Sequence, residues 1–156
     1  SMIFPDKTWE QQCTLFYGLY IWCGLTLYWI SPYIILANNI NNSPQFIAIS
    51  IFVFILGVFF HFTSDMQKFT HLKLKPGKLI EDGMMYRSRN MNYFGELLIY
   101  ISFSMLTYHW LPFVVLFLFI LIIWVPNMIQ KDKSLSRYKE YQNYKKRSSV
   151  LFPFIW

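Results

Sequence analysis

The sequence predicts an all-α integral membrane protein with about four transmembrane helices, whose N and C termini both lie on the same, basic side. The composition is one reason, since 55% of the residues are hydrophobic and 21% aromatic, whereas only 14% are charged. The charge distribution is the other, because residues 11–64 and residues 97–130 contain no Asp, Glu, Lys or Arg. Uncharged blocks of this length require lipid as their solvent, and only helices or closed barrels can span it. These observations exclude a disordered chain, a disulfide-stapled domain and an ordinary soluble domain.

The first uncharged block contains two predicted spans. Residues 38–44 are rich in Asn and end in Ser and Pro, a composition typical of a turn. This turn separates a span near residues 14–37 from a second span near residues 46–63. Asp6 and Glu10 precede the first span, whereas a secretory signal peptide begins with basic residues, so we expect this span to stay in the protein.

The second uncharged block also contains two predicted spans. A continuous helix of its length would measure about 51 Å, compared with about 30 Å for the hydrocarbon core of a bilayer. Residues 108–112, with the sequence Tyr-His-Trp-Leu-Pro, provide a break. Two spans near residues 93–109 and 112–129, joined by a tight hairpin, therefore fit better than one.

The charged residues predict the topology. All 14 Lys and Arg and all 8 Asp and Glu fall within residues 1–10, 65–96 and 131–147. Four spans place these three segments on one side of the membrane and leave only neutral turns on the other, an extreme form of the positive-inside pattern. We therefore expect both termini to face the cytoplasm or the mitochondrial matrix, with the protein in the endoplasmic reticulum or the mitochondrial inner membrane.

Three kinds of site or partner are not expected. Cys13 and Cys23 would lie about 15 Å apart on one helix, which is beyond disulfide reach, so we interpret them as two structural thiols. The three histidines are scattered, without a second ligand at metal-binding spacing, so no metal site is predicted. The basic residues flank membrane spans, where they are expected to contact membrane lipid, and this argues against nucleic-acid binding.

Two acidic residues beside the membrane favour a functional site. Glu96 lies about one turn inside the third span, where an ionised carboxylate without a partner costs several kcal/mol. Asp65 lies at the end of the second span, and an ion pair with Lys68, one turn later, is the structural alternative. Asn92 and Glu96 share one helical face, because their spacing is i and i+4. We expect them to form one polar pocket with Asp65, beneath a polar segment that folds back over the helix bundle.

Four short motifs follow one another in the C-terminal two thirds of the chain. They are Ser64-Asp65-Met66-Gln67-Lys68, Lys75-Pro76-Gly77, Asp82-Gly83-Met84-Met85-Tyr86 and Arg89-Asn90-Met91-Asn92-Tyr93-Phe94-Gly95-Glu96. The tail ends in Phe152-Pro153-Phe154-Ile155-Trp156. In this arrangement, residues 57–156 resemble the C-terminal domain of the steroid 5α-reductases. The resemblance divides the chain into residues 1–45, an N-terminal segment with the first transmembrane helix, and residues 46–156, a reductase-like membrane domain.

The resemblance implies that NADPH binds in a cavity between helices that opens to the charged side. The positions that it places at or near the dinucleotide are Asp65, Lys68, Lys73, Arg89, Asn92, Glu96, Arg137, Tyr138 and Tyr144. It also implies a reaction in which hydride passes to the β-carbon of a lipid-like or steroid-like enone while an acid protonates the α-carbon. In the family, the Glu and Tyr that activate the substrate carbonyl come from helices preceding this domain, so no catalytic residue is assigned. The tyrosines of the first span that could supply a hydroxyl are Tyr17, Tyr20, Tyr28 and Tyr33.

Two alternative functions compete with the reductase. A non-catalytic accessory subunit of a larger membrane complex, such as a mitochondrial one, is favoured by the short N-terminal half and the high aromatic content. Asn90 and Met91 also favour it, because the reductases commonly have His and Pro there. A methyltransferase similar to the isoprenylcysteine carboxyl methyltransferases would share the Arg-containing signature and the C-terminal tyrosines. Glu96 and the Ser64-Asp65 pair favour the reductases over the methyltransferases.

Overall fold

In the computed structural model, which describes residues 14–153 and residue 155, the chain is built from helices. The α-helices are α1 Leu15–Thr26, α2 Ile30–Ala37, α3 Pro44–Leu74, α4 Met91–Met105, α5 Leu111–Phe119, α6 Val125–Leu135 and α7 Tyr141–Arg147. A 3-10 turn at Leu27–Trp29 links α1 to α2, another at Gly83–Met85 precedes α4, and a π-helix at Ile120–Trp124 joins α5 to α6. Within the described residues, extended backbone pairs only in one isolated bridge between Ser88 and Ser149. The prediction of an all-α protein is confirmed.

Three stretches of helix are long and apolar enough to cross a membrane, namely Leu15–Ala37, Pro44–Leu74 and Leu111–Leu135. They correspond to the first, second and fourth predicted spans, and they confirm an integral membrane protein. The hydroxyl of Ser43 caps α3, and Pro44 occupies its first turn, where no backbone donor is needed. The Asn-rich turn therefore ends one span and begins the next.

The third predicted span, residues 93–109, corresponds to the shorter helix α4. Its 15 residues measure about 22 Å, which is less than the thickness of a hydrocarbon core. The helix ends early because Thr107 turns its hydroxyl back onto the Ser104 carbonyl oxygen at 2.7 Å, and Tyr108 follows with a positive φ of 46°. Helix α4 lies alongside the longer α3, which supplies most of its packing.

The neutral turns and the charged segments lie at opposite ends of the bundle. At one end, Asn42 Nδ2 donates to the Leu106 carbonyl oxygen at 3.0 Å, so the two neutral turns meet. At the other end, Arg147 Nη2 lies 2.7 Å from Glu81 Oε2, so the two charged segments meet. This arrangement matches the topology that the charges predict for these segments. The predicted features outside the described residues are the placement of the N-terminal charges, Cys13, Phe154 and Trp156.

Two glycines set the close approach of α3 and α4. A Cβ atom added to Gly57 would lie 2.8 Å from the Gly95 carbonyl oxygen, and one added to Gly95 would lie 2.7 Å from the Gly57 carbonyl oxygen. Real Cβ atoms do not approach backbone this closely, so small residues permit the contact, as at other membrane helix interfaces. This packing brings the polar end of α3 against the first turns of α4.

The polar segment between α3 and α4 folds back over the end of the bundle, as predicted. Leu79 and Met85 are buried, and Leu79 packs with Tyr141 and Tyr144 of α7. Tyr144 Oη donates to the Met85 carbonyl oxygen at 2.5 Å, which ties the segment to the tail. The start of the segment is not buried in this way, because Leu74 at the end of α3 is 74% exposed.

Candidate functional site

A polar cluster forms where α3 faces the first turns of α4. His61 lies at its centre, with Nδ1 at 3.3 Å from the Asn92 carbonyl oxygen and Nε2 at 3.7 Å from Asp65 Oδ2. Glu96 interacts electrostatically with both His61 and Asp65. The structure therefore brings Asp65, Asn92 and Glu96 together, and places among them His61, which sequence reasoning did not include in the site. The ion pair expected as the alternative, between Asp65 and Lys68, does not occur within the described residues.

Asn92, whose backbone carbonyl oxygen lies against His61, also has an unused acceptor in its side chain. Its Oδ1 atom is buried and has no hydrogen-bond partner within the described residues. A buried acceptor without a donor costs about 1–3 kcal/mol, so the cluster favours a ligand that brings an N–H or O–H group. With two carboxyl groups close by, the cluster has the composition expected of a site that binds amide and hydroxyl groups.

An apolar cavity of about 520 Å³ lies between the first span and helices α4 and α5. Its walls are almost entirely aliphatic and aromatic, and they include Leu27, Ile35, Phe103, Leu116 and Phe119. The hydroxyl groups of Tyr28 and Tyr100 meet in its lining, 2.5 Å apart. Such a cavity, apolar with a few convergent polar groups, is the usual form of a small-molecule site.

Tyr100 connects the polar cluster to the apolar cavity. It follows Glu96 by one helical turn and interacts with it electrostatically, while its hydroxyl lies against that of Tyr28. Trp124 packs beside Tyr100 and is 3% exposed. Its ring stacks on that of Tyr93, with the two ring centroids 5.0 Å apart. Sequence reasoning missed Tyr100, although its spacing extends the i, i+4 series of Asn92 and Glu96 by one more step.

Two residues that the resemblance places near the dinucleotide lie in contacts within the protein. Arg89 is 3% exposed, and its Nε and Nη2 atoms lie 2.9 and 3.0 Å from the two carboxylate oxygens of Asp132. Its Nη1 atom donates to the carbonyl oxygen and hydroxyl of Ser148. Tyr144 donates to the backbone carbonyl of Met85, and burial raises the pKa of its hydroxyl. Both residues join the polar segment to the tail.

Of the other predicted residues at the charged end, Lys68, Lys73 and Arg137 are exposed, whereas Tyr138 is partly buried against Leu79, Tyr141 and Tyr144. Lys73 places its ammonium group 4.4 Å from the centre of the Phe69 ring. Arg137 Nη2 donates to the Tyr138 hydroxyl at 3.2 Å. Lys68 is also exposed, one turn beyond Asp65. Of these residues, only Lys68 lies at the edge of the polar cluster. Lys73, Arg137 and Tyr138 are not part of it.

Lys131 is a basic residue near the polar cluster that sequence reasoning did not select. Its ammonium group donates to the Arg89 carbonyl oxygen at 2.6 Å, and it interacts electrostatically with Asp65 and Lys68. It follows Asp65 by 66 residues, so no local spacing could have indicated this proximity. Lys131 therefore lies near Lys68 and Asp65 at the edge of the polar cluster.

Within the described residues, no group of three His, Cys, Asp or Glu side chains could hold a metal ion, and Cys23 is exposed. Comparisons with curated proteins and with solved structures found no significant match. A comparison with protein families matched residues 5–148 to a family described as a protein of unknown function, DUF1295. Because this match covers most of the sequence, the chain belongs to the DUF1295 family.

Proposed function

We propose that the protein is a membrane-embedded reductase that uses NADPH to reduce the C=C bond of a lipid-like or steroid-like enone. The observation that supports it most is the junction of a polar cluster with an apolar cavity through Tyr100 inside one helix bundle. The DUF1295 family includes steroid 5α-reductase-like proteins. Two of the four motifs that resemble those enzymes contribute Asp65, Asn92 and Glu96 to the polar cluster.

The polar cluster is suited to the nicotinamide end of NADPH. The unpaired Oδ1 of Asn92 and the carboxyl group of Glu96 would accept hydrogen bonds from the carboxamide. Lys68 and Lys131 would attract the phosphates, since ammonium groups bind phosphate strongly. NADPH would supply the hydride, and the task of these residues would be to orient it and to exclude water.

The apolar cavity is suited to the substrate. Its volume and its aliphatic and aromatic walls suit a lipid-like molecule with one polar end. The paired hydroxyls of Tyr28 and Tyr100 would bind the substrate carbonyl oxygen and polarise it. Reduction of an enone adds one hydride and one proton. NADPH would supply the hydride, and the Tyr100 hydroxyl would deliver the proton, which it would regain from solvent after turnover.

Binding of NADPH to the purified protein in neutral detergent or nanodiscs tests this proposal. Replacement of Glu96 by Gln should weaken NADPH binding by about tenfold or more, because a hydrogen bond to a charged group contributes about 1.5–3 kcal/mol. Replacement of Glu140 by Gln removes the same charge from an exposed position and should leave the affinity unchanged. An unaltered affinity in the Glu96 variant would reject the role of Glu96, and no measurable affinity in the parent protein would reject the reductase.

An accessory subunit of a membrane complex is the second candidate, and helix α1 favours it. None of the 12 residues of α1 is buried, and Leu15, Phe16 and Trp22 are 77, 84 and 64% exposed. Other membrane helices could cover such a surface, as could lipid. A stable complex with defined partners in native membranes, together with absent NADPH binding, would establish this function. Fractionation between the endoplasmic reticulum and the mitochondrial inner membrane would test the predicted locations.

A further inference from the structure

A second cavity, of about 340 Å³, lies where α3 leaves the membrane-spanning bundle. The last turn of α3, the segment that follows it and the end of α7 form its walls. The polar residues in these walls are His71, Lys75, Lys78, Glu81, Asp82 and Arg147. None of them belongs to the polar cluster around His61, so this cavity is a separate site.

Two residues of the cavity wall each contain a nitrogen atom with unused hydrogen-bonding capacity. His71 Nε2 and Arg147 Nε are both buried and have no partner within the described residues. The Arg147 nitrogen can only donate, and the imidazole nitrogen donates in one of its tautomers or when protonated. Because unpaired buried polar atoms are costly, the cavity favours a ligand that supplies hydrogen-bond acceptors.

The charges of the cavity favour an anion. Glu81 is paired with Arg147 Nη2 at 2.7 Å, and Asp82 Oδ1 accepts from Gln67 Nε2 at 3.2 Å. Lys75 and Lys78 form no ion pair within the described residues, and together with Arg147 they exceed the two carboxylates of the cavity wall by one positive charge. A phosphate group suits this arrangement, because its oxygens only accept hydrogen bonds and it binds both Arg and Lys.

The surroundings indicate that the phosphate belongs to a lipid. Helix α3 has 31 residues and measures about 46 Å, so its last turns extend beyond a hydrocarbon core of about 30 Å into the headgroup region. Leu72 and Leu74 in its last turn are 52 and 74% exposed, and Tyr86 in the cavity wall is 43% exposed. Apolar side chains beside a basic cavity suit an amphiphile, with its headgroup in the cavity and its acyl chains along the leucines.

We propose that this cavity binds the phosphate of an anionic phospholipid. The proposal does not depend on the reductase activity, since it involves different residues and a different ligand. It assigns a specific site to Lys75 and Lys78, in place of diffuse attraction between basic residues and the membrane surface.

Binding of dioctanoyl phosphatidic acid to the full chain in neutral detergent tests the proposal. A double variant, Lys75→Ala with Lys78→Ala, should bind it about twenty-five-fold more weakly, because each basic residue at a membrane surface contributes about fivefold. The matched control is Lys145→Ala with Lys146→Ala, which removes two exposed bases of α7 that do not line the cavity. The control should change the affinity by less than about twofold, and equal losses in the two double variants would overturn the proposal.

Two further ligands distinguish the source of the phosphate. Inorganic phosphate should bind far more weakly than phosphatidic acid, and equal affinities would show a phosphate site that does not recognise lipid. NADPH should bind the parent and the Lys75/Lys78 variant equally. A loss of NADPH affinity that matches the loss for phosphatidic acid would overturn the lipid assignment, because the cavity would then serve the dinucleotide.

Discussion

Replacement of Arg89 by Met should destabilise the protein even when no cofactor is present. Arg89 is 3% exposed and bonds to both carboxylate oxygens of Asp132 at 2.9 and 3.0 Å, as well as to Ser148. Removal of one partner of a buried ion pair costs about 3–5 kcal/mol, since the other charge stays behind. The side chain of Asp132 is 20% exposed, so water can solvate part of the carboxylate that is left unpaired. We therefore expect the free energy of unfolding to fall by about 3 kcal/mol.

Reversible unfolding in mixed micelles, followed by circular dichroism, measures this loss. Lys139→Met is the control, because it removes an exposed base from the same end of the protein. A double-mutant cycle with Asp132→Leu should show a coupling energy of about 1 kcal/mol or more between the two positions. An Arg89 variant as stable as the parent, or a coupling energy near zero, would refute the structural role of the pair.

Two other predictions concern the candidate site and its scaffold. Tyr100→Phe should reduce the rate of enone reduction by about a hundredfold or more, because it removes a proton donor. It should leave the NADPH affinity intact, because it removes no cofactor contact. A rate equal to that of the parent would exclude Tyr100 from proton delivery. Gly95→Ala should destabilise the protein by about 1–3 kcal/mol, since the added Cβ would meet the backbone of α3. Gly24→Ala is its control, because nothing lies within 4 Å of a Cβ at that position, and equal stabilities of the two variants would contradict the close packing of α3 and α4.

The membrane character of the fold could be predicted from the sequence because it depends on where charges are absent. Lipid excludes unpaired charges over any continuous stretch, so the uncharged blocks alone indicate the spans. The length of α4 could not be predicted in this way, since hydropathy does not show that Thr107 turns its hydroxyl back to the helix end. The proximity of Asp65, Asn92 and Glu96 was predictable from helical spacing and from the cost of an acid in the membrane, whereas the position of His61 among them was not.

The environment of Arg89 could not be predicted from local sequence. Its partners Asp132 and Ser148 follow it by 43 and 59 residues, and only the folded tail brings them together. The same holds for the hydroxyl pair of Tyr28 and Tyr100, which are 72 residues apart. A motif indicates which residue types a family uses, but tertiary contacts decide whether a side chain faces a ligand or another part of the chain.

The π-helix at Ile120–Trp124 explains how one long helix both lines the apolar cavity and packs against α4. An extra residue within a turn shifts the angular phase of everything that follows by about 100°. Before the shift, Leu116 and Phe119 line the apolar cavity. Trp124 at the end of the π-helix and Met128 beyond it pack with Leu97 of α4, and Leu116 and Phe119 also contact this cluster. A regular α-helix would turn Trp124 and Met128 about 100° further away from the side that carries Leu116 and Phe119. The wider turn therefore keeps the cavity wall and the support of the polar cluster on one side of the helix.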